Sequence, residues 1–265
     1  METLKERLKQ LRLPALAAAL ELRNQYALDH QVSYLEFLEL LLEDEWAARQ
    51  GQAYHKRLVA SRLSSEKLLS TYDFTYQPQL DKRLVYDLAS CRFIEEHRNI
   101  VLLGNPGVGK THLATALGLE AVKKGYKVLF THANEVIEKL HTSKADGSYR
   151  SALNKILAAD LLIIDELGFK KVPLSGLDDF FEIIRQRYEK ASIIITSNRN
   201  FEDWGQILGD AVMASAIIDR IIHHATVIKI TGSSYRVKNY LSPDGLTQKT
   251  QNQREKQRMD SAKEQ

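Results

Sequence analysis

The octapeptide GNPGVGKT, residues 104–111, follows a short apolar run at 100–103 and opens an amphipathic helical stretch. It matches G-x-x-x-x-G-K-[ST] at every fixed position, in the strand-to-helix setting that this pattern requires. Glycines there let successive backbone N–H groups turn inward on phosphate oxygens, and the helix that follows presents its positive end to the same charge. Gly107 and Gly109 fill those positions. Gly104, Asn105, Pro106 and Val108 complete the loop, and His112 follows it. Lys110 is placed to reach the β- and γ-phosphates, and the Thr111 hydroxyl to ligate a magnesium ion bridging them.

Working outward, four further β-rich runs lie at 128–131, 161–165, 193–197 and 226–230, with helical stretches between. This alternation predicts an α/β fold with a five-stranded parallel sheet. The runs at 100–103, 161–165 and 193–197 are almost continuously apolar, as strands covered on both faces are. Ligands of such sheets bind at the carboxyl ends of the strands. LLIIDEL, residues 161–167, sets Asp165 and Glu166 at that edge, 55 residues after Lys110. Asp165 suits the magnesium-holding acid, and Glu166 suits the group that polarises an attacking water. SIIITSN brings Thr196, Ser197 and Asn198 out at the same edge, where Asn198 can hold that water or sense the γ-phosphate. Hydrolysis, and not storage of nucleotide, is the expectation.

The remainder of the 265 residues sets limits. With 44% hydrophobic and 27% charged residues, the composition is that of a globular chain. A single cysteine, Cys91, excludes an internal disulfide and points to a reducing, cytoplasmic setting. No apolar run approaches the roughly 18 residues of a membrane span. The eight histidines are scattered, and His223 and His224 are adjacent instead of ligand-spaced, so no zinc centre is expected.

Three regions are predicted. Residues 1–70 read as a helical N-terminal domain with one glycine, Gly51; an S-x-x-E capping box at Ser33 and Glu36 opens a helix whose core face is read as Leu35, Leu38 and Leu42. Residues 71–241 carry the nucleotide motifs. From 242 to 265 the chain is polar without aromatic residues, and disorder is expected.

GNPGVGKT, then IIDE, ITSN and IIDRI, in that order, resemble the AAA+ ATPases, in the branch of bacterial replication initiators and helicase loaders. Residues 74–118 and the motif wording are similar to the IstB family of insertion-sequence ATP-binding proteins, over about residues 1–245. The resemblance implies strand order 5-1-4-3-2, ATP with Mg2+, double-stranded DNA and an IstA-like transposase as partners, and a homo-oligomeric ring or helical filament in which one subunit completes its neighbour's site. By position, Arg220 in IIDRI matches the arginine finger acting in trans. Arg185 and Arg187 are second candidates. The helical lid of larger relatives must be reduced or absent, with Arg236 the nearest substitute for its arginine.

The folded part is close to neutral, so DNA binding needs a local basic strip. About thirty residues separate the second and third strands and hold Lys139, Lys144, Arg150 and Lys155 against Asp146. The resemblance puts a two-helix insertion here, facing DNA, with Lys139, Lys144, Ser148 and Arg150 meeting phosphates. Such contacts are weakly selective and salt-dependent. A helicase loader would carry the same catalytic motifs, and a small-molecule kinase would share the cradle. Phe74 and Tyr76 are candidate walls for the base, or ordinary core residues.

Overall fold

In the computed structural model, residues 2–237 are described, so the expected disorder from 242 onward lies outside them. The chain divides into two units, Met1–Ala60 and Ser61–Gln265.

The first unit holds α1 (Glu2–Gln10), α2 (Pro14–His30) and nearly all of α3 (Tyr34–Ser61). Pro14 sits at the first position of α2, where its missing N–H costs nothing. The capping box is formed: Ser33 N–H donates to Glu36 Oε2 at 2.9 Å, and Glu36 N–H to Ser33 Oγ at 3.3 Å. The expected core face of α3 is corrected. Leu35, Leu38 and Leu42 are exposed, and Leu41, with Phe37 beside it, packs on Leu16 and Leu20. The inward stripe runs Phe37, Leu41, Glu45. No side chain of the residue before α2 caps that helix, and the buried Glu45 carboxylate accepts its N–H groups from Ala15 (2.9 Å) and Leu16 (3.1 Å). Satisfying those donors draws the Glu45 face of α3 inward.

The second unit begins with an irregular stretch, then α4 (Lys82–Ala89), capped by Asp81, and α5 (Arg92–Glu95). Five strands follow: β1 (Asn99–Gly104), β2 (Val128–His132), β3 (Leu161–Leu167), β4 (Ser192–Ser197) and β5 (Ala225–Ile230). All pairings are parallel, in the order β2-β3-β4-β1-β5, which is the expected order read from the other edge. The three central strands are those whose apolar runs are continuous, and they are buried almost throughout. Between strands lie α6 (Lys110–Lys123), α7 (Ala133–Ala145), α8 (Tyr149–Leu157), α9 (Leu174–Arg187), α10 (Trp204–Leu208) and α11 (Ala211–Ile222). The segment between β2 and β3 is a helix pair, α7 and α8. One face of the sheet is closed by Ile137, Leu140, Phe180, Ile183 and Ile217, all at most 2% exposed.

Arg187 closes α9 as a buried residue. It is 1% exposed and donates to the carbonyls of Ile156, Ala159, Asp160 and Ser192, at 2.8 to 3.3 Å. Burial pushes its guanidinium down to about 10, with Asp160 opposing the shift. Arg187 is therefore a clamp inside its own chain and has no reach toward a neighbour's nucleotide. Arg185 is exposed and paired with Glu182 at 2.7 Å.

Candidate functional site

Parallel pairing brings the carboxyl ends of all five strands to one edge. Along it, His132 pairs in register with Asp165, Leu103 with Ser197, and Gly104 with Ile230. A Cβ at Gly104 would collide with the Ile230 carbonyl, so β1 and β5 can close this tightly only over glycine. Gly107 and Gly109 have φ of +84° and +97°, the left-handed region that turns the loop into α6. Lys110 and Thr111 then fall in the first turn of α6. No side chain caps that end, so its N–H groups face the loop and suit an anion.

Lys110 Nζ donates to the carbonyls of Gly104 (2.7 Å) and Asn105 (2.8 Å), folding back on its own loop. Burial lowers its pKa from the ordinary value, Asp165 and Glu166 oppose that shift, and the positive Arg236 adds to it. Arg236 lines a cavity together with Lys110, in a short 3₁₀ turn (Tyr235–Val237) that follows β5. Tyr235 N–H donates to Gly107 O at 2.9 Å, which lays this turn against the cradle.

The two adjacent carboxylates are separated by a break in pairing. β3 and β4 lose register between Ile164 and Leu167, and Glu166 takes φ +60°. Such irregularities re-aim side chains beside active sites. Asp165 stays 1% exposed, and Glu166 is turned out, half exposed, into the cavity mouth. Thr196 fixes both, donating to Asp165 Oδ1 at 2.5 Å and accepting from Glu166 N–H at 3.0 Å. Thr111 Oγ1 donates to the Asp165 carboxylate at 3.0 and 3.1 Å. Hydroxyl and carboxylate oxygens so close together are the donor set of a hard divalent cation. Asn198 reaches the cavity, and its Oδ1 is buried without a partner.

The cavity measures about 300 Å³, and part of its wall comes from the irregular stretch before α4: Thr71, Tyr72, Asp73, Tyr76 and Gln77. Tyr76 lines it and Phe74 does not; Phe74 packs on Tyr72 and Tyr86. Tyr72 had no sequence signal. Its hydroxyl lies 3.0 Å and its ring 3.1 Å from where a Gly109 Cβ would stand, the buried hydroxyl lacks a partner, and burial raises its pKa to about 12. His132 was also missed, although the strand-end rule that found Asp165 applies equally to it. Its Nδ1 lies 3.7 Å from Glu166 and 3.8 Å from Asp165.

The remaining candidates are apart from this cluster. Arg220, on α11, is half buried; it stacks its guanidinium over Phe181 at 5.1 Å and donates to Ala216 O. Lys139 and Arg150 are exposed on α7 and α8. Lys144 is committed to its own chain, 2.8 Å from the buried Asp179 and over the Tyr149 ring. Ser148 Oγ donates to Asp146 at 2.6 Å. Among the described residues no helix is long and apolar enough to cross a membrane.

The chain is similar in fold and in sequence to known proteins. Of solved structures, DnaI superposes with a TM-score of 0.54 at 26% identity, over 65% of this chain and 93% of that one. AMPPCP-bound DnaA from Aquifex aeolicus superposes at 0.52 and 25% identity, over 64% and 51%. The insertion sequence IS21 ATP-binding protein of Pseudomonas aeruginosa is 40% identical over 250 residues, 94% of each chain. Residues 6–242 match the family described as IstB-like ATP binding protein, and the chain belongs to that family.

Proposed function

We propose that the protein is an ATP-hydrolysing assembly factor for DNA transposition, which oligomerises on double-stranded DNA and recruits or activates a transposase. The observation that carries the nucleotide part is the convergence of Lys110, Thr111, Glu166 and Asn198 on one cavity floored by the uncapped start of α6, with the buried Asp165 carboxylate held directly behind Thr111. The insertion-sequence names of its relatives support the transposition part.

In this reading the N–H groups of the loop and of α6 take the phosphate oxygens, and Lys110 leaves the Gly104 and Asn105 carbonyls for the β- and γ-phosphates. Thr111 and Asp165 hold Mg2+, which when bound neutralises charge developing on the phosphates. Glu166 accepts a proton from the water that attacks the γ-phosphorus, and Asn198 Oδ1, unpartnered in the cavity, orients that water. Arg236 meets the nucleotide in cis. Arg220 leaves its place over Phe181 to reach the nucleotide of a neighbouring copy, and such a residue contributes about 10³ to 10⁵ in rate. Lys139 and Arg150 meet DNA phosphates, with many copies along the duplex multiplying weak contacts.

The test is ATP turnover and sedimentation with and without duplex DNA and transposase. Turnover stimulated by the two together supports the reading. Stable binding to a replicative helicase, with no response to transposase, would make the protein a helicase loader instead.

A further inference from the structure

We propose that Glu189, His223 and His224 form a binding site for a divalent transition-metal ion of the zinc type, on the edge of the sheet opposite the triphosphate cradle. Glu189 lies between α9 and β4, with φ +57°. His223 caps the C-terminus of α11, and the carbonyl of His224 accepts Asn99 N–H at 2.8 Å where β5 and β1 begin pairing. Adjacent residues within a helix point about 100° apart. At the end of α11 these two rings nevertheless lie together, with centroids 4.0 Å apart. Adjacency in sequence, the ground for expecting no zinc centre, does not hold the two imidazoles apart, and a carboxylate arrives beside them from another element.

Glu189 Oε1 is 3.3 Å from His224 Nε2 and 3.9 Å from His223 Nδ1, and one ligand atom from each residue lies within 4.8 Å of the others. Ligands at about 2.0–2.2 Å from a tetrahedral zinc ion stand roughly 3.4 Å from one another. Exposed side chains close that difference by rotation. Two imidazoles with one carboxylate suit zinc and its neighbours, where magnesium and calcium prefer oxygen alone. A fourth position stays open for water or for the Tyr188 hydroxyl, now 2.7 Å from His223 Nδ1. Among the described residues no other trio of His, Cys, Asp or Glu brings ligand atoms so close. The ion would tie the end of α9 to the end of α11, the two helices on which Phe181 and Arg220 stack.

The test is calorimetric titration of ZnCl2 into the full chain, purified without a polyhistidine tag, freed of metal and without nucleotide. One zinc per chain is expected in the wild type and in His132→Ala, whose site lies at the other edge. Affinity at least about tenfold weaker is expected in His224→Ala and in Glu189→Gln. Circular dichroism verifies that the variants fold, and zinc-edge X-ray absorption on the loaded wild type should show imidazole nitrogen in the first shell. No zinc uptake by the wild type, unchanged affinity in both His224→Ala and Glu189→Gln, or loss of binding in His132→Ala would overturn the assignment.

Discussion

The Thr111 hydroxyl lies 3.0 and 3.1 Å from the two oxygens of the Asp165 carboxylate and donates to it. Asp165 is buried, and the partners holding it are hydroxyls: Thr111 and, on the other side, Thr196. A cation bound here replaces the proton that Thr111 now supplies. Thr111→Val keeps the shape and removes the oxygen. Nucleotide affinity measured with Mg2+ should fall about 10- to 100-fold, the worth of one charge-assisted contact, and affinity measured in chelator should stay level.

Glu166→Gln should separate binding from chemistry. The side chain is turned out of the strand by the break in pairing with β4, so an isosteric amide fits without disturbing Asp165. ATP binding should be retained while single-turnover hydrolysis falls by about 10² to 10⁴. A parallel loss of binding would show that Glu166 builds the pocket instead of serving the water.

Arg187→Lys should behave as a stability mutant. Lysine cannot reproduce a planar fork serving four carbonyls, and each buried acceptor left unpaired costs about 1–3 kcal/mol. Denaturant unfolding should show a loss of about 3 kcal/mol or more, with nucleotide affinity unchanged in the protein that remains folded.

Glu45 gives the N-terminal unit an acid limit. The Arg49 guanidinium, with the Leu16 and Ala15 N–H groups, holds its carboxyl below the ordinary value of 4.5 against the opposing effect of burial. A depressed carboxyl contributes stability that is complete above its unfolded value and is lost as pH falls through its lower folded value. The melting-temperature gap between the wild type and Glu45→Gln should hold steady above about pH 5.5 and close below about pH 4. A gap that persists at low pH would mean that the amide and the carboxylate cap α2 equally.

The nucleotide site was legible because its chemistry is local. Residues 104–111 fix a loop conformation by themselves, and continuous apolar runs at 161–165 and 193–197 announce buried strands whose ends must face the same edge. What sequence hid was tertiary. The wall at Tyr72, Asp73 and Gln77 comes from an irregular stretch with no period, where only Tyr76 was legible. Arg187 reads as a surface residue until four carbonyls from α8, the β3 approach and β4 meet around it. Leu35, Leu38 and Leu42 form a flawless apolar stripe, yet the neighbouring stripe is buried, because the start of α2 requires Glu45. Hydrophobic spacing identifies a helix face but does not weigh it against unpaired backbone donors elsewhere.

The proposal that ATP is hydrolysed between copies of this chain meets its most direct test in a mixing experiment with Arg220→Ala and Glu166→Gln, each inactive alone. If Arg220 serves the neighbouring nucleotide, an equal mixture in ATP, Mg2+ and duplex DNA regains sites with both groups intact, and turnover should recover to about a quarter of wild type. A mixture no more active than its separate components would place Arg220 outside the neighbour's site and contradict the shared-site mechanism.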